Sequence, residues 1–273
     1  MKKTVLITGA SSGIGYAAAR HFAAQGWNVA ATMRDPIGCD LAGLDGVLTL
    51  PLDVQNRSSI AGAVNSTLAH FGHIDVVVNN AGYSLFGIFE SLPPEKIDEQ
   101  FAVNVIGVMD VTRAVLPHFR QRNAGVIINV SSRAGIVAMP LNTLYSASKF
   151  ALEGFSEALF YELAGLNIAV KIIQPSGGVT ATKFSERMVR DRPAEVPAAY
   201  APFTEKAGAV YANMQASRRT AATEVADVIF TAATDGTPRL RYFTGEDIGG
   251  FVDARREKTD QHFIDFMREK FVP

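Results

Sequence analysis

The chain has 273 residues, 48% of them hydrophobic, and a formal net charge of −1 at pH 7. This length is sufficient for a large core, and a charge so close to zero gives no support for nucleic acid or an anionic membrane surface as a partner. A single cysteine, Cys39, excludes an intrachain disulfide, and the five histidines lack metal-ligand spacing. No apolar run approaches the roughly 18 residues of a membrane span. We therefore expect a cytoplasmic protein without a metal site.

Short apolar runs alternate with amphipathic, helix-length segments along the chain. Runs rich in Val, Ile and Leu predict buried strands at 4–7, 28–32, 47–52, 75–78, 126–130 and 168–173, with a last edge strand at 240–243. Helices are predicted at 14–25, 58–71, 95–122 and 144–164. This order predicts an α/β fold, a Rossmann-type, doubly wound parallel β-sheet with helices on both faces. Because no linker or repeat interrupts the alternation, residues 1–273 are predicted to form one domain.

A glycine-rich turn follows the first predicted strand and opens the first predicted helix. Its pattern from Thr8 onward is T-G-x-x-x-G-x-G, which differs from the commoner G-x-G-x-x-G of dinucleotide sites. Glycines let the backbone approach a pyrophosphate closely, and the helix N-terminus offers free N–H groups and the positive end of a dipole. A tight turn that binds nothing is the alternative. The predicted phosphate site consists of Gly9, Ser11, Ser12, Gly13, Ile14 and Gly15.

Tyr145 and Lys149 form a phenol–amine pair four residues apart in a predicted helix. Side chains at this spacing share one helix face. An ammonium beside a phenol favours the phenolate, so we expect the pKa of Tyr145 to fall from its ordinary value of ~10. Such a tyrosine is a proton donor or acceptor near neutral pH. The alternative is a solvated helix surface without a chemical role.

Four ordered motifs together resemble the short-chain dehydrogenase/reductase family. They are the glycine turn, the run N-N-A-G at 79–82, a serine thirteen residues before Tyr145, and the Y-x-x-x-K pair itself. The resemblance extends from residue 3 to about residue 178. Within it, the stretch Y-S-A-S-K-F-A-L-E-G at 145–154 resembles the hydroxysteroid and retinol dehydrogenase branch of the family.

The resemblance implies four catalytic residues. Tyr145 would exchange a proton with the substrate oxygen, and Lys149 would lower the tyrosine pKa and bind the nicotinamide ribose. Ser132 would donate to the substrate oxygen. Ser131 and Ser132 would face opposite sides of a strand, so only one of them can face the substrate, and the register of the family motifs selects Ser132. Asn104 corresponds to the asparagine that holds a proton-relay water. A helix-interior amide bonded to the backbone is the alternative for Asn104.

The resemblance also implies a bound nicotinamide dinucleotide. Asp53 resembles the family aspartate near the adenine, with capping of the next helix as the alternative. The family's Pro-Gly and following Thr, which grip the nicotinamide, are altered here to P-S-G-G-V-T-A-T from Pro175. Either Thr180 or the pair Val179 and Thr182 takes that place. Besides the glycine turn, the implied cofactor-binding residues are Arg34, Asp53, Val54, Asn80, Ala81, Gly82, Tyr145, Lys149 and Pro175.

Charge at the end of the second predicted strand distinguishes the two cofactors. Members that select NAD place an acid there, which accepts from the ribose 2′-hydroxyl and repels a 2′-phosphate. This chain has Met33 followed by Arg34, and a guanidinium suits a phosphate. We therefore expect NADP. NAD is the alternative if Asp35 is the residue that contacts the ribose.

The segment 176–219 follows the sixth predicted strand and has weak periodicity and three prolines. Because open α/β sheets bind ligands beyond the carboxyl ends of their strands, this irregular segment is predicted to be a substrate lid. A plain surface insertion is the alternative. Five residues are predicted to line an apolar pocket: Tyr83, Leu85, Phe86, Phe184 and Met188. Core packing is the alternative for several of them.

Together these features predict an NADP(H)-dependent oxidoreductase that interconverts a hydrophobic ketone or aldehyde and its alcohol, with Tyr145 as general acid and base. A non-catalytic nucleotide-sensing or scaffolding protein on the same fold is the second hypothesis. The intact set of Asn104, Ser132, Tyr145 and Lys149 argues against it. By family resemblance we expect a homodimer or homotetramer that acts on a small molecule, with no nucleic acid or membrane partner.

Overall fold

The fold is built around a sheet of short, buried strands. The computed structural model describes residues 1–176, 178–180, 195–215 and 219–273. Val and Ile are frequent in the strands because both faces of the sheet are covered, and all five residues of the first strand are buried. The strands are β1 (Thr4–Thr8), β2 (Asn28–Met33), β3 (Val47–Pro51), β4 (Val76–Asn79), β5 (Gly125–Val130), β6 (Ile168–Pro175) and β7 (Arg241–Thr244).

The strands pair in parallel in the order β3-β2-β1-β4-β5-β6-β7. The order reverses between β1 and β4, where Val5 lies opposite Val76 and Ile7 opposite Val78. Chain connections diverge on the two sides of this point, which opens a crevice at the carboxyl ends of the strands. The predicted Rossmann-type, doubly wound parallel sheet is confirmed, and β7 lies at one edge, as predicted.

Helices cover both faces of the sheet. They are α1 (Gly13–Ala24), α2 (Arg57–Phe71), α3 (Pro94–Phe101), α4 (Gly107–Arg122), α5 (Thr143–Leu163), α6 (Ala201–Gln215), α7 (Ala222–Thr234), α8 (Phe251–Glu257) and α9 (Asp260–Phe271). Helices α1 and α7 pack together on one face and bury one core cluster against the strands. Helices α2, α4 and α5 bury a second cluster on the other face.

The segment predicted as one helix over 95–122 is interrupted. Helix α3 ends at Phe101, a π-helical turn covers Ala102–Ile106, and α4 begins at Gly107. The amide of Gly107 donates to the carbonyl of Ala102, five residues back. Apolar periodicity continues on both sides of the turn, so the sequence pattern did not locate the interruption. Such turns are frequent at functional sites.

A third apolar cluster is formed by segments that follow the carboxyl ends of β4, β5, β6 and β7, including α6, α8 and α9. We call it the third cluster. The prediction that 176–219 has little regular structure is wrong for residues 201–215, which form α6 and bury Ala207 in this cluster. Helix α6 packs against α9. These tertiary contacts stabilise the helix, although its apolar residues show only weak periodicity in the sequence.

The predicted pocket residues fall into three groups. Tyr83 and Leu85 are each 1% exposed and lie in a small core with Leu144 on α5. Phe86 packs against the third cluster. Phe184 and Met188 lie outside the described residues. Core packing, the alternative considered for these residues, is therefore correct for Tyr83 and Leu85.

Within the described part of the chain, no helix has the length and apolar character needed to cross a membrane. The same residues contain no group of three or more His, Cys, Asp or Glu side chains placed to hold a metal ion. Cys39 is a partly buried free thiol.

Candidate active site

The glycine turn after β1 is shaped by close backbone contacts. Gly9 and Gly13 have φ values of +69° and +60°, a region that glycine adopts without a side-chain penalty. A Cβ on Gly15 would lie 2.4 Å from the carbonyl oxygen of Gly9 and 2.4 Å from Asn80 Nδ2. A larger residue at position 15 therefore does not fit. Without side chains at these positions, the first turn of α1 can approach a bound group with its backbone.

Thr8 and Asn80 fasten the glycine turn to the segment after β4. The Thr8 hydroxyl accepts from the amides of Asn80 and Ala81 at 3.0 and 3.1 Å. Asn80 Nδ2 donates to the carbonyls of Thr8 and Gly9 at 2.9 and 3.1 Å. The structure thus brings Gly9, Asn80 and Ala81 together at the point where the strand order reverses. Thr8 does much of this fastening and was not among the predicted site residues.

The N-terminus of α1 keeps free donor capacity. Ser12 is its N-cap in an extended conformation, and within the described part of the chain its side chain makes no capping hydrogen bond. The first turn carries no acidic residue, so its amides and the positive end of the helix dipole are available to an anion. Ser11 is exposed beside them, whereas Ile14 is partly buried against the core.

Arg34 is exposed at the carboxyl end of β2 and follows the buried Met33. Strand β2 pairs directly with β1, so Arg34 extends from the strand next to the glycine turn. Asp35 Oδ1 accepts from the amide of Ile37 at 3.0 Å, which occupies this carboxylate oxygen. Among the described residues, Arg34 has no hydrogen-bond or ion-pair partner, so its guanidinium is available to a ligand.

Asp53 and Val54 follow β3. Asp53 Oδ1 accepts from the amide of Gln55 at 3.0 Å. The cap of α2 is Asn56, whose side chain accepts from a first-turn amide at 3.1 Å. Capping of the helix by Asp53, the alternative considered, is therefore wrong. Val54 packs against the start of α4, where a Cβ on Gly107 would lie 2.8 Å from the Val54 Cβ.

Three of the predicted catalytic side chains converge at the carboxyl end of β5. Ser132 lies just beyond β5, Tyr145 is the third residue of α5, and Lys149 follows one helical turn later. The Ser132 hydroxyl is hydrogen-bonded to the Tyr145 phenol and accepts from the amide of Ala134 at 3.1 Å. Two hydroxyl groups thus meet at one point, where both can donate to a single ligand oxygen.

The Tyr145 phenol is a weaker acid than the sequence predicts. Burial raises the pKa of Tyr145 to about 12, and the hydrogen bond from Ser132 opposes this shift. The expected lowering by Lys149 is wrong for this structure, because the ammonium is directed at the backbone. Lys149 Nζ donates to the carbonyl of Val130 at 2.9 Å and lies 5.7 Å from the centre of the phenol ring. Tyr145 therefore holds its proton at neutral pH.

Lys149 is a buried amine, 6% exposed. Burial lowers the pKa of Lys149 to about 8, and the charge of Glu153 opposes this shift. Glu153 is held by Gln174 Nε2 at 2.9 Å and by Arg241 Nε at 3.0 Å. A carboxylate fixed in this position favours the ammonium form of the lysine. Sequence reasoning missed Glu153, although its position four residues after Lys149 was a usable signal.

Ser131 and Ser132 differ in their surroundings. Ser131 is 3% exposed, its amide donates to the carbonyl of Ile173 at 2.8 Å, and its hydroxyl has no hydrogen-bond partner among the described residues. A Cβ on Gly135 would lie 2.8 Å from the Ser131 Oγ, so this hydroxyl is enclosed by backbone. Of the two serines, Ser132 is the one that contacts the Tyr145 phenol.

Asn104 is fully buried in the π-helical turn. Its Nδ2 donates to the carbonyl of Tyr83 at 2.9 Å and to Ser148 Oγ at 3.1 Å, and its Oδ1 accepts from the amide of Tyr83 at 3.1 Å. The alternative of a buried amide bonded to the backbone is thus correct for the side chain. These bonds use both Nδ2 hydrogens and one lone pair of Oδ1, which leaves the second Oδ1 lone pair as an acceptor. Ser148, which sequence reasoning missed, joins this turn to α5.

The segment after Pro175 departs from the family pattern. Ser176, which follows Pro175 directly, is 4% exposed and its hydroxyl donates to a carbonyl beyond β7 at 2.8 Å. The amide of Thr180 donates to a carbonyl just before α7 at 3.0 Å, and Val179 packs against the first core cluster. Thr182 lies outside the described residues. Both alternatives for the nicotinamide contact therefore stay open.

Similar sequences and structures occur among known oxidoreductases. Residues 3–193 match the family model described as short chain dehydrogenase. An uncharacterized oxidoreductase of Schizosaccharomyces pombe is 39% identical over 241 residues, covering 87% of this chain and 99% of the relative. A short-chain dehydrogenase from Streptomyces avermitilis superposes with a TM-score of 0.82 at 31% identity, covering 98% of both chains. A 3-ketoacyl-(acyl-carrier-protein) reductase from Brucella melitensis, solved with NADH, superposes with a TM-score of 0.73 at 27% identity, covering 89% of this chain and 96% of that one.

Proposed function

The chain belongs to the short-chain dehydrogenase family, and we propose that it is an NADP(H)-dependent carbonyl reductase or alcohol dehydrogenase. The observation that carries the proposal is the grouping of Ser132, Tyr145 and Lys149 at the carboxyl end of β5. The two hydroxyl groups are hydrogen-bonded to each other, and the lysine lies buried beside the phenol. A protein that only binds or senses nucleotide has no need of the paired hydroxyl groups of Ser132 and Tyr145.

Tyr145 is the proton donor in the reduction direction. Because burial raises the pKa of Tyr145 to about 12, its hydroxyl carries a transferable proton at neutral pH. Ser132 donates to the same substrate oxygen and stabilises the negative charge that develops there. Oxidation of an alcohol requires the phenolate of Tyr145 as proton acceptor, so high pH favours that direction.

Lys149 and the glycine turn hold the cofactor. Lys149 bears positive charge below its pKa of about 8, and we assign it to the nicotinamide ribose. When bound, the nicotinamide supplies or accepts the hydride. The fit of a dinucleotide is supported by the absence of room for a Cβ at Gly15 and by the uncapped first turn of α1. The pyrophosphate contacts are assigned to Gly9, Ser11, Ser12, Gly13, Ile14 and Gly15.

Arg34 favours NADP over NAD. Its exposed guanidinium can form two parallel hydrogen bonds to a 2′-phosphate, and an oxygen of the neighbouring Asp35 carboxylate is occupied by a backbone amide. Asn104 supports the proton path by holding a relay water. The cofactor side is completed by Asp53, Val54, Asn80, Ala81, Gly82 and Pro175.

The substrate class is a ketone or aldehyde with an apolar body. The aromatic residues of the third cluster border the carboxyl ends of β5–β7, and a 3-ketoacyl reductase is among the structural relatives. The stretch at 145–154 favours the hydroxysteroid and retinol dehydrogenase branch. We also propose that residues 1–273 act as one cytoplasmic catalytic unit with its lid at 176–219. The exposed Phe150 and Tyr161 on α5 support a homodimer or homotetramer.

The test is oxidation of NADPH in the presence of a panel of apolar ketones and aldehydes, with Tyr145→Phe beside the wild-type protein. Loss of general acid catalysis lowers turnover by ~10²–10⁴-fold, while the affinity for NADPH, measured by fluorescence titration, stays near that of the wild type. Tyr161→Phe is the matched control, because Tyr161 lies on the same helix with 66% of its surface exposed. It should leave turnover unchanged.

Two results would contradict the proposal. Turnover by Tyr145→Phe within a few-fold of the wild-type rate would remove Tyr145 from the proton path. Tight NADPH binding without turnover of any carbonyl or alcohol would instead favour the nucleotide-binding hypothesis.

A further inference from the structure

The start of the catalytic helix α5 is held by a tyrosine from α6. Asn142 is the N-cap of α5, three residues before Tyr145, but its side chain makes no capping hydrogen bond within the described part of the chain. Asn142 Nδ2 donates instead to Tyr211 Oη at 3.0 Å, and its Oδ1 accepts from Ser84 Oγ at 3.1 Å. An N-cap asparagine ordinarily accepts from first-turn amides. Here the side chain makes tertiary contacts, so they determine where the helix begins.

Tyr211 bridges both ends of the turn that precedes α5. Its hydroxyl donates to the carbonyl of Pro140 at 2.7 Å and accepts from Asn142 on the other side of the turn. Between them, Leu141 has a φ of +61°, which is unfavourable for a residue with a Cβ and persists only when its surroundings hold it. Part of that support is the amide of Gly87, which donates to the Leu141 carbonyl at 2.8 Å. The turn is therefore strained and depends on these contacts.

The Tyr211 side chain is itself fixed by the third cluster. Its ring packs edge-on against Phe86 with 5.1 Å between ring centres and lies 6.3 Å from the ring of Phe271. Burial raises the pKa of Tyr211 to about 12, so the hydroxyl remains a donor throughout the physiological range. Because the Tyr211 side chain is held on both sides, its position on α6 fixes the position of the turn at 140–142.

The same contacts reach the Asn104 turn. Ser84, 1% exposed, donates to Asn142 and directly follows Tyr83, whose amide and carbonyl hold the Asn104 side chain at 3.1 and 2.9 Å. One buried hydrogen-bonded path therefore connects α6, the start of α5 and the π-helical turn.

We propose that Tyr211 is a positioning residue for the catalytic helix. Its hydroxyl fixes the turn at 140–142 and thereby sets the distance between Tyr145 and Ser132. The proposal rests on the function proposed above for Tyr145. Tyr211 lies beyond residues 3–193, which the family model matches.

The test compares Tyr211→Phe with Tyr242→Phe. Both remove the hydroxyl of a tyrosine packed in the interior, Tyr211 partly buried and Tyr242 3% exposed, but Tyr242 is on edge strand β7 and its hydroxyl accepts from Lys171 Nζ at 3.0 Å. Because small misplacement of a reacting group slows catalysis strongly, Tyr211→Phe should lower kcat for carbonyl reduction about tenfold, with NADPH affinity within about twofold of wild type. Tyr242→Phe should lower the Tm and leave kcat unchanged.

A double-variant cycle and hydrogen exchange sharpen the comparison. Tyr211→Phe and Asn142→Ala break the same contact, so the double variant should be no slower than the slower single variant. Hydrogen–deuterium exchange at the amides of 146–149 should be faster in Tyr211→Phe than in the wild type, and unchanged in Tyr242→Phe.

Three outcomes would each overturn the positioning role. They are an unchanged kcat in Tyr211→Phe, additive losses of kcat in the double-variant cycle, and a lower kcat with unchanged hydrogen exchange in α5. If the wild-type protein reduces no carbonyl at all, the proposed function fails on its own. The exchange measurement then still decides whether Tyr211 holds the start of α5, since it requires no turnover.

Discussion

The proposed cofactor side and the proposed substrate side of the candidate site meet at β5 but are built by different means. The proposed cofactor side, at the carboxyl ends of β1, β2 and β4, is shaped by main-chain atoms that approach one another closely, as at Gly15 and Asn80. The proposed substrate side is the third cluster, shaped by aromatic side chains such as Phe86, Tyr211 and Phe251. The first kind of site accepts few residue types at each position, whereas the second accepts many combinations of large side chains.

Because of this difference, the third cluster is the half of the site in which side chains can be exchanged more freely. The family model matches residues 3–193, which include the cofactor side, while α6, α8 and α9 lie beyond that range. A change in the third cluster can therefore alter substrate binding while the glycine turn keeps its contacts. The predictions below test whether the two sides are separable in this way.

The largest effect is expected from Phe251→Ala. Phe251 is 1% exposed and packs against Phe266 and Phe271 with 5.8 Å between ring centres. Removing a buried phenyl ring costs about 3–5 kcal/mol in the free energy of unfolding, because it leaves a cavity. Urea unfolding measures this loss, and fluorescence titration should show NADPH affinity close to that of the wild type.

Phe251→Leu, which leaves a smaller cavity, provides the same comparison if the alanine variant does not fold. NADPH affinity that declines in parallel with stability would show that the third cluster and the glycine turn form one cooperative unit, and the separation of the two sides would be wrong.

A smaller effect, confined to the cofactor side, is expected from Arg34→Ala. Only NADPH carries the 2′-phosphate, and a charge-assisted hydrogen bond contributes about 1.5–3 kcal/mol, so NADPH affinity should fall roughly ten- to hundredfold while NADH affinity is nearly unchanged. Arg120→Ala is the control, because Arg120 is exposed in the last turn of α4. Equal losses for both cofactors would remove Arg34 from the phosphate site, and a wild-type preference for NADH would favour Asp35.

The smallest effect concerns pH at the boundary between the two sides. The pKa of Lys149 is lowered to about 8 in the folded protein, below its value in the unfolded chain, so burial of the ammonium opposes folding most fully below pH 8. From about pH 8 to 10 this penalty declines, and stability relative to Lys149→Met should rise by at most about 1.4 kcal/mol per pH unit. Urea unfolding of both proteins across this range measures the difference.

The window ends near pH 10 because the lysine of the unfolded chain, whose ordinary pKa is ~10.4, then loses its proton as well. Tyr145, whose pKa is raised by burial to about 12, is present in both proteins, so its effect on stability at high pH cancels in the comparison. A stability difference that stays flat from about pH 8 to 10 would mean that Lys149 is better solvated than its burial indicates.

The amino-acid sequence by itself determined the alternation of strands and helices, the parallel sheet and the pattern of the glycine turn. These features are encoded locally, since apolar periodicity and glycine spacing act over a few residues. The same is true of the spacing of Tyr145 and Lys149, which needed only the geometry of one helix. Alternation along a strand predicted only that one of Ser131 and Ser132 faces the substrate, and the register of the family motifs selected Ser132.

Tertiary structure decided what depends on neighbours distant in the chain. The upward shift of the Tyr145 pKa is caused by burial and not by the lysine four residues away. The π-helical turn at Asn104, the carboxylate of Glu153 beside Lys149, and helix α6 within 176–219 are likewise stabilised by packing. Tyr211 and Asn142 are 69 positions apart in the sequence yet share a hydrogen bond. No local pattern encodes such a contact, because it forms only when separate elements are folded against one another.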